Sequence, residues 1–104
     1  MELISPENCK LAIEKNEALI LDVRENYEFE NCNIGFLHIP MGEINQRIKE
    51  IPSDKKIIVM CQSGKRAEAV ANLLATEYNL KAVFILEGGI TAWIEKIDQT
   101  LHLD

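Results

Sequence analysis

Lys56-Ile57-Ile58-Val59-Met60-Cys61-Gln62-Ser63-Gly64-Lys65-Arg66-Ala67-Glu68-Ala69-Val70-Ala71 decides the fold of this chain. The stretch 56–60 is a continuous apolar run too short for a helix, and it reads as a central parallel strand buried on both faces. From Ala67 to Leu74 the pattern is helical, with Val70, Leu74 and Tyr78 recurring on one side. The polar loop between them launches Cys61 from the end of the strand toward the start of the helix. Several backbone N–H groups converge at such a junction, and the helix dipole adds about half an elementary positive charge. Those surroundings favour a thiolate, the reactive form of cysteine. Cys61 is therefore the candidate nucleophile.

Outward from this stretch, strands and helices alternate. Ser5-Pro6-Glu7 is a helix start, with Ser5 as cap, Pro6 at the first helical position and Glu7 at the positive end, and the helix should run to about Lys15. Residues 18–23 form a second buried strand, Tyr27 to Glu30 a short helix, and Leu37 to Pro40 a short strand. Glu43 to Glu50 reads as a helix, with Ile44 and Ile48 facing the core and Pro52 just past its end. Residues 82–86 supply another apolar strand. Gly88-Gly89 then breaks the chain before a last helix carrying Ile90, Trp93 and Ile97 on one side, with Trp93 and Phe84 expected in the core. This order predicts an α/β fold, a mostly parallel sheet covered on both faces. Ligands then bind beyond the carboxyl ends of the strands. Three loops meet that description: Arg24-Glu25-Asn26, the Cys61 loop, and Glu87-Gly88-Gly89.

The 104 residues fit one domain, 1–104, without repeat or linker. No apolar run is long enough to span a bilayer, and the first residues carry no secretory pattern, so a cytoplasmic location and no membrane partner are expected. With 17 acidic residues against 11 basic ones the chain lacks the basic footprint of a nucleic-acid binder. Three cysteines without a C-x-x-C pair, and histidines only at 38 and 102, argue against a disulfide framework and a metal site. Cys9 and Cys32 read as small buried hydrophobes. A monomer is the default expectation.

Asp22-Val23-Arg24-Glu25, Glu28-Phe29-Glu30, Cys61-Gln62-Ser63-Gly64-Lys65-Arg66, and Leu86-Glu87-Gly88-Gly89-Ile90 with Trp93 follow one another in an order that resembles the single-domain rhodaneses. The resemblance covers residues 2 to 97 and departs at Cys32-Asn33-Ile34, where many members carry Gly-His-Ile. The segment 33–42 is similar to a subgroup often fused behind enzymes that activate sulfur-carrier proteins. The resemblance implies a three-layer rhodanese-like fold with about five strands. It also implies a sulfurtransferase that carries sulfane sulfur as a Cys61 persulfide, needs no cofactor, takes a small anionic donor such as thiosulfate, and passes sulfur to a protein thiol, a small thiol or cyanide.

The chemistry suits the residues. Lys65 and Arg66 supply cations beside the thiol, and backbone N–H groups from Gln62 to Arg66 could hold an anionic persulfide as a nest holds phosphate. Ser63 lies within that ring, and Gly64 fits where the loop turns with positive φ or approaches the sulfur closely. Arg66 is read as an anion fork for the donor, or else as a partner for a helix-end carbonyl. Arg24 either faces the donor or pairs with an acid such as Glu87. Asp22 is read as a structural carboxylate that bonds backbone N–H groups and orients the Arg24 loop. The related dual-specificity phosphatases and arsenate reductases place their arginine one residue further on, at the position held here by Ala67. A smaller ring suits one extra sulfur atom better than a phosphoryl group. The rival readings are a protein-to-protein sulfur relay with little small-molecule turnover, a phosphatase or arsenate reductase, and a silent binding module.

Overall fold

Five parallel strands form the centre of the protein, in the order β1-β5-β4-β2-β3. The structure is a computed structural model that describes residues 2–103. In chain order the elements are β1 (Glu2–Ile4), α1 (Pro6–Glu14), β2 (Ala18–Asp22), α2 (Asn26–Asn31), β3 (Leu37–His38), β4 (Lys56–Met60), α3 (Lys65–Glu77), β5 (Val83–Leu86) and α4 (Gly89–Lys96). β4 lies in the middle, paired with β2 from Ala18↔Lys56 to Asp22↔Met60 and with β5 from Ile57↔Val83 to Val59↔Ile85.

Side chains alternate across the sheet, as the two-residue period of a strand requires. Ile57 and Val59 of β4, Leu21 of β2, and Val83 and Ile85 of β5 pack with Ala67, Val70, Ala71 and Leu74 of α3. Ile58 and Met60, with Ile20 and Leu86, face the other way against Cys9 and Ala12 of α1 and Ile90 and Trp93 of α4. This produces the expected three layers. Among the described residues no helix is long and apolar enough to cross a membrane.

Two elements differ from the sequence reading. Residues 43–50 form no single helix; two 3-10 turns, Met41–Glu43 and Ile48–Glu50, flank Arg47, whose backbone (φ −114°, ψ 19°) leaves the helical basin. So short a segment has little helical stability of its own. Arg47 instead ties it down by bonding Glu43, Glu50 and the His38 carbonyl. The second difference is β1, which the sequence reading leaves out. It pairs at the sheet edge with β5, Glu2↔Phe84 to Ile4↔Leu86, and three residues are too few to show a strand period. β3 is shorter than predicted, ending ahead of Pro40, which has no N–H to give a ladder.

Because every strand is parallel, all the carboxyl ends lie at one edge of the sheet. The loops after β2, β4 and β5 meet there.

Candidate active site

Cys61 leaves β4 at that edge and is 1% exposed. Its sulfur accepts N–H bonds from Gly64 at 3.0 Å and Ala67 at 3.4 Å. Both donors belong to the turn that opens the 13-residue helix α3, so the sulfur lies at the positive end of that dipole. The amide ring anticipated from Gln62 to Arg66 is thus found in part, and it reaches one residue further than expected. Ala67 takes part through its main chain, which side-chain identity could not reveal.

The loop carbonyls are pulled the other way. Ile90 N–H donates to Cys61 O at 2.9 Å and Thr91 N–H to Gln62 O at 3.3 Å, so the start of α4 holds both oxygens off the sulfur side. Gly64 caps α3 at φ 130°, a conformation rarely open to a side chain. Gly88, in the left-handed region at φ 76°, starts α4, and Gly89 at φ 60° lies directly against the loop. A Cβ on Gly89 would overlap Gln62 O and lie 2.5 Å from Cys61 O. Gly88-Gly89 therefore does more than end a strand. It lets one helix N-terminus approach the carbonyls of the loop whose amides serve the thiol. Gly89→Ala is expected to push the start of α4 away from the loop and lower any Cys61-dependent rate by about tenfold or more, because displacements near 1 Å are costly at a reacting centre. Steady-state rates measured beside a thermal melt separate this from simple unfolding.

The arginines do not take the places anticipated for them. Arg24 is 1% exposed and bonds Asp22, with Nε to Oδ1 at 2.9 Å and Nη2 to Oδ2 at 2.7 Å, rather than Glu87. It also donates to the carbonyls of Glu28 (3.3 Å) and Cys32 (2.8 Å), clamping the end of α2. Asp22 additionally accepts the Arg24 N–H at 3.1 Å. Proximity explains the choice: Asp22 lies two residues back on the same buried strand end. Glu87 is exposed; its backbone N–H bonds Ile4 O, and its side chain forms no ion pair with Arg24. His38, to which no role was given, stacks on Phe29 at 4.2 Å and donates from Nε2 to Arg24 O at 2.7 Å. That bond steadies the Arg24 loop from below.

Arg66, one-third exposed, pairs with a carboxylate rather than with a helix-end carbonyl. Its two terminal nitrogens bind Glu28, Nη1 to Oε1 at 2.6 Å and Nη2 to Oε2 at 2.9 Å. Glu28 also accepts the Glu25 N–H at 3.0 Å, as the N3 member of a capping box on α2. Arg66, and to a lesser degree the Glu25 amide, pulls the Glu28 carboxyl down to about 2 against the opposing effect of burial. Glu28 in turn holds the Arg66 guanidinium above its ordinary range. The depressed carboxyl means that the pair stabilises the fold fully above the ordinary carboxylate value, and that this contribution is lost progressively as pH falls from there through about 2. Glu28 is the site residue that sequence reasoning missed. The pair joins positions 38 apart, and only the tertiary fold makes them neighbours.

The remaining loop residues divide between two depressions. Gln62 lines a cleft of about 410 Å³ with Arg24, Tyr27, Glu28, Asn31 and Leu103. Ser63, Gly64 and Lys65 line a smaller groove on the other side, shared with Glu87 and Gly88. Cys9 is fully buried, and burial pushes its thiol up to about 12, so it stays protonated and inert near neutral pH. Cys32 is buried as well.

Comparison with known proteins agrees with this geometry. The chain is 36% identical over 97 residues to the Bacillus subtilis protein YrkF, named "Putative sulfur carrier protein"; the match covers 91% of this chain and 52% of that one, so the chain spans about half of that relative. It is 35% identical over 94 residues to a protein of Allochromatium vinosum named "Sulfurtransferase", with 88% and 86% covered. The crystal structure of a rhodanese-related protein from Thermoplasma volcanium superposes with a TM-score of 0.83 at 28% identity, covering 100% of both chains. The sequence pattern described as "Rhodanese-like domain" matches residues 5–96, and the chain belongs to the rhodanese-like family.

Proposed function

We propose that this protein is a sulfurtransferase that carries sulfane sulfur as a persulfide on Cys61. The observation that carries the reading is the sulfur itself, held by the Gly64 and Ala67 amides at the start of α3 with the neighbouring carbonyls tied to α4. Amide hydrogens and a helix N-terminus favour negative charge on the sulfur, before and after it gains a second sulfur atom.

The reaction is a double displacement. With thiosulfate as donor, the Cys61 thiolate attacks the outer sulfur. A new S–S bond forms, the old S–S bond breaks, and its electron pair leaves with sulfite. Cys61 is left as an anionic persulfide. An acceptor thiolate or cyanide then attacks the terminal sulfur and departs as a persulfide or thiocyanate, which restores the Cys61 thiolate. No proton need be moved by a dedicated acid or base. Arg24, Asp22 and His38 act as positioning residues for α2 and the adjoining loop.

Relationship to a protein named as a sulfur carrier favours a second reading, a relay between protein persulfides in the same chemistry. Intact-mass measurement after incubation with a sulfane donor tests both. A gain of about 32 Da, mapped to Cys61 and removed by cyanide, is the expected result. An adduct that turns over negligibly with cyanide but readily with a thiol protein favours the relay. Sulfur recovered on Cys9 or Cys32, or none at all, contradicts the proposal.

A further inference from the structure

The cleft beside the Cys61 loop has an electrostatic character that the sequence does not show. Its one lining cation among the described residues, Arg24, is consumed by Asp22. Arg66, the guanidinium nearest the thiol in sequence, has both terminal nitrogens on Glu28. Glu28 cannot swing away freely. Its carboxylate also accepts the Glu25 N–H, its helix is held by Arg24 at the Glu28 and Cys32 carbonyls, and its side chain is 14% exposed. A carboxylate fixed in this way competes for the guanidinium fork at an effective concentration far above that of any free anion.

We propose that Glu28 is a specificity-determining residue that withholds Arg66 from small dianionic donors and biases the site toward persulfides of low charge, borne on proteins or small thiols. This rests on the Cys61 persulfide reading and specifies its donor. A dianion such as thiosulfate needs a fork for its oxyanion end, and finds that fork occupied by Glu28, the carboxylate in the cleft wall. A persulfide donor has no oxyanion end and loses nothing by the pairing. Tyr27, 73% exposed and lining the same cleft, presents an aromatic ring to the uncharged body of such a donor.

The test compares thiosulfate, a dianion, with methanethiosulfonate, a monoanion, on wild-type protein and on Glu28→Gln. Freeing a charge-assisted fork should lower KM for thiosulfate by about tenfold or more, with a smaller gain for the monoanion and kcat changed by less than about threefold. Glu28→Gln/Arg66→Gln should lose the gain. Sulfate protection of Cys61 against iodoacetamide supplies a readout independent of turnover. The wild type should show no saturable protection at millimolar sulfate, and Glu28→Gln should show it. Saturable protection of the wild type, or an unchanged thiosulfate KM in a folded Glu28→Gln that still forms the Cys61 adduct, overturns the role of Glu28 alone. Absence of the adduct on wild-type Cys61 with both donors overturns the persulfide reading, and the role of Glu28 with it.

Discussion

Cys61→Ser is expected to abolish thiocyanate formation from thiosulfate and cyanide, a fall of about 10³-fold or more, while leaving the fold intact. The asymmetry follows from what the sulfur does in each role. As a nucleophile it must be anionic, and the hydroxyl of serine stays protonated near neutral pH even beside a helix N-terminus. Its oxygen also cannot hold a transferable sulfur as a disulfide bond does. As a structural atom the sulfur only accepts hydrogen bonds from Gly64 and Ala67, and the smaller serine oxygen can accept from the same amides. Thermal stability should therefore change by no more than about 1 kcal/mol. A serine variant that retains the wild-type rate would remove Cys61 from the chemistry.

Asp22→Ala should act on stability first. Asp22 and Arg24 are 2% and 1% exposed, and Arg24 spends Nε and Nη2 on the one carboxylate. Removing the carboxylate leaves a guanidinium buried with only the Glu28 and Cys32 carbonyls as partners. Breaking one side of a buried pair in this way costs about 3–5 kcal/mol, a large share of the roughly 5–15 kcal/mol that holds a typical domain together. The melting temperature should fall by more than about 10 °C. Asp22→Ala/Arg24→Met should recover part of the loss, because it removes the stranded charge as well. Denaturant titration of the two variants checks this, and a loss below about 1 kcal/mol for Asp22→Ala would show that the pair is not the clamp described above. Activity should fall along with stability, since Arg24 clamps the end of α2 beside the site.

What could be read from the chain follows the range of the forces involved. The β4–loop–α3 unit was legible because an apolar run, a cysteine, a glycine and a helical stripe are local signals that agree. β1 was not, because Glu2–Ile4 is a strand only through its register with β5. The 43–50 segment has helical spacing, yet Arg47 satisfies it through side-chain bonds that spacing does not encode. At the site, the position of Cys61 was readable and the company it keeps was less so. Asp22 and Arg24 face each other across two residues, whereas sequence left Glu87 open as the partner. Gly88-Gly89 was visible as a break, while its contact with the Cys61 and Gln62 carbonyls depends on how α4 docks. The Arg66–Glu28 pair and the Ala67 amide are tertiary facts, one joining distant segments and the other independent of side-chain identity.

The central claim is that main-chain amides at the start of α3 hold the negative charge of sulfur on Cys61. Proton–nitrogen NMR of the labelled protein, recorded before and after loading with sulfane sulfur and again after cyanide, tests it most directly. The amide signals of Gly64 and Ala67 should move on loading and return when cyanide takes the sulfur, with the largest shifts in the spectrum. Loading confirmed by mass, with those two amides unmoved and the changes elsewhere, would contradict it.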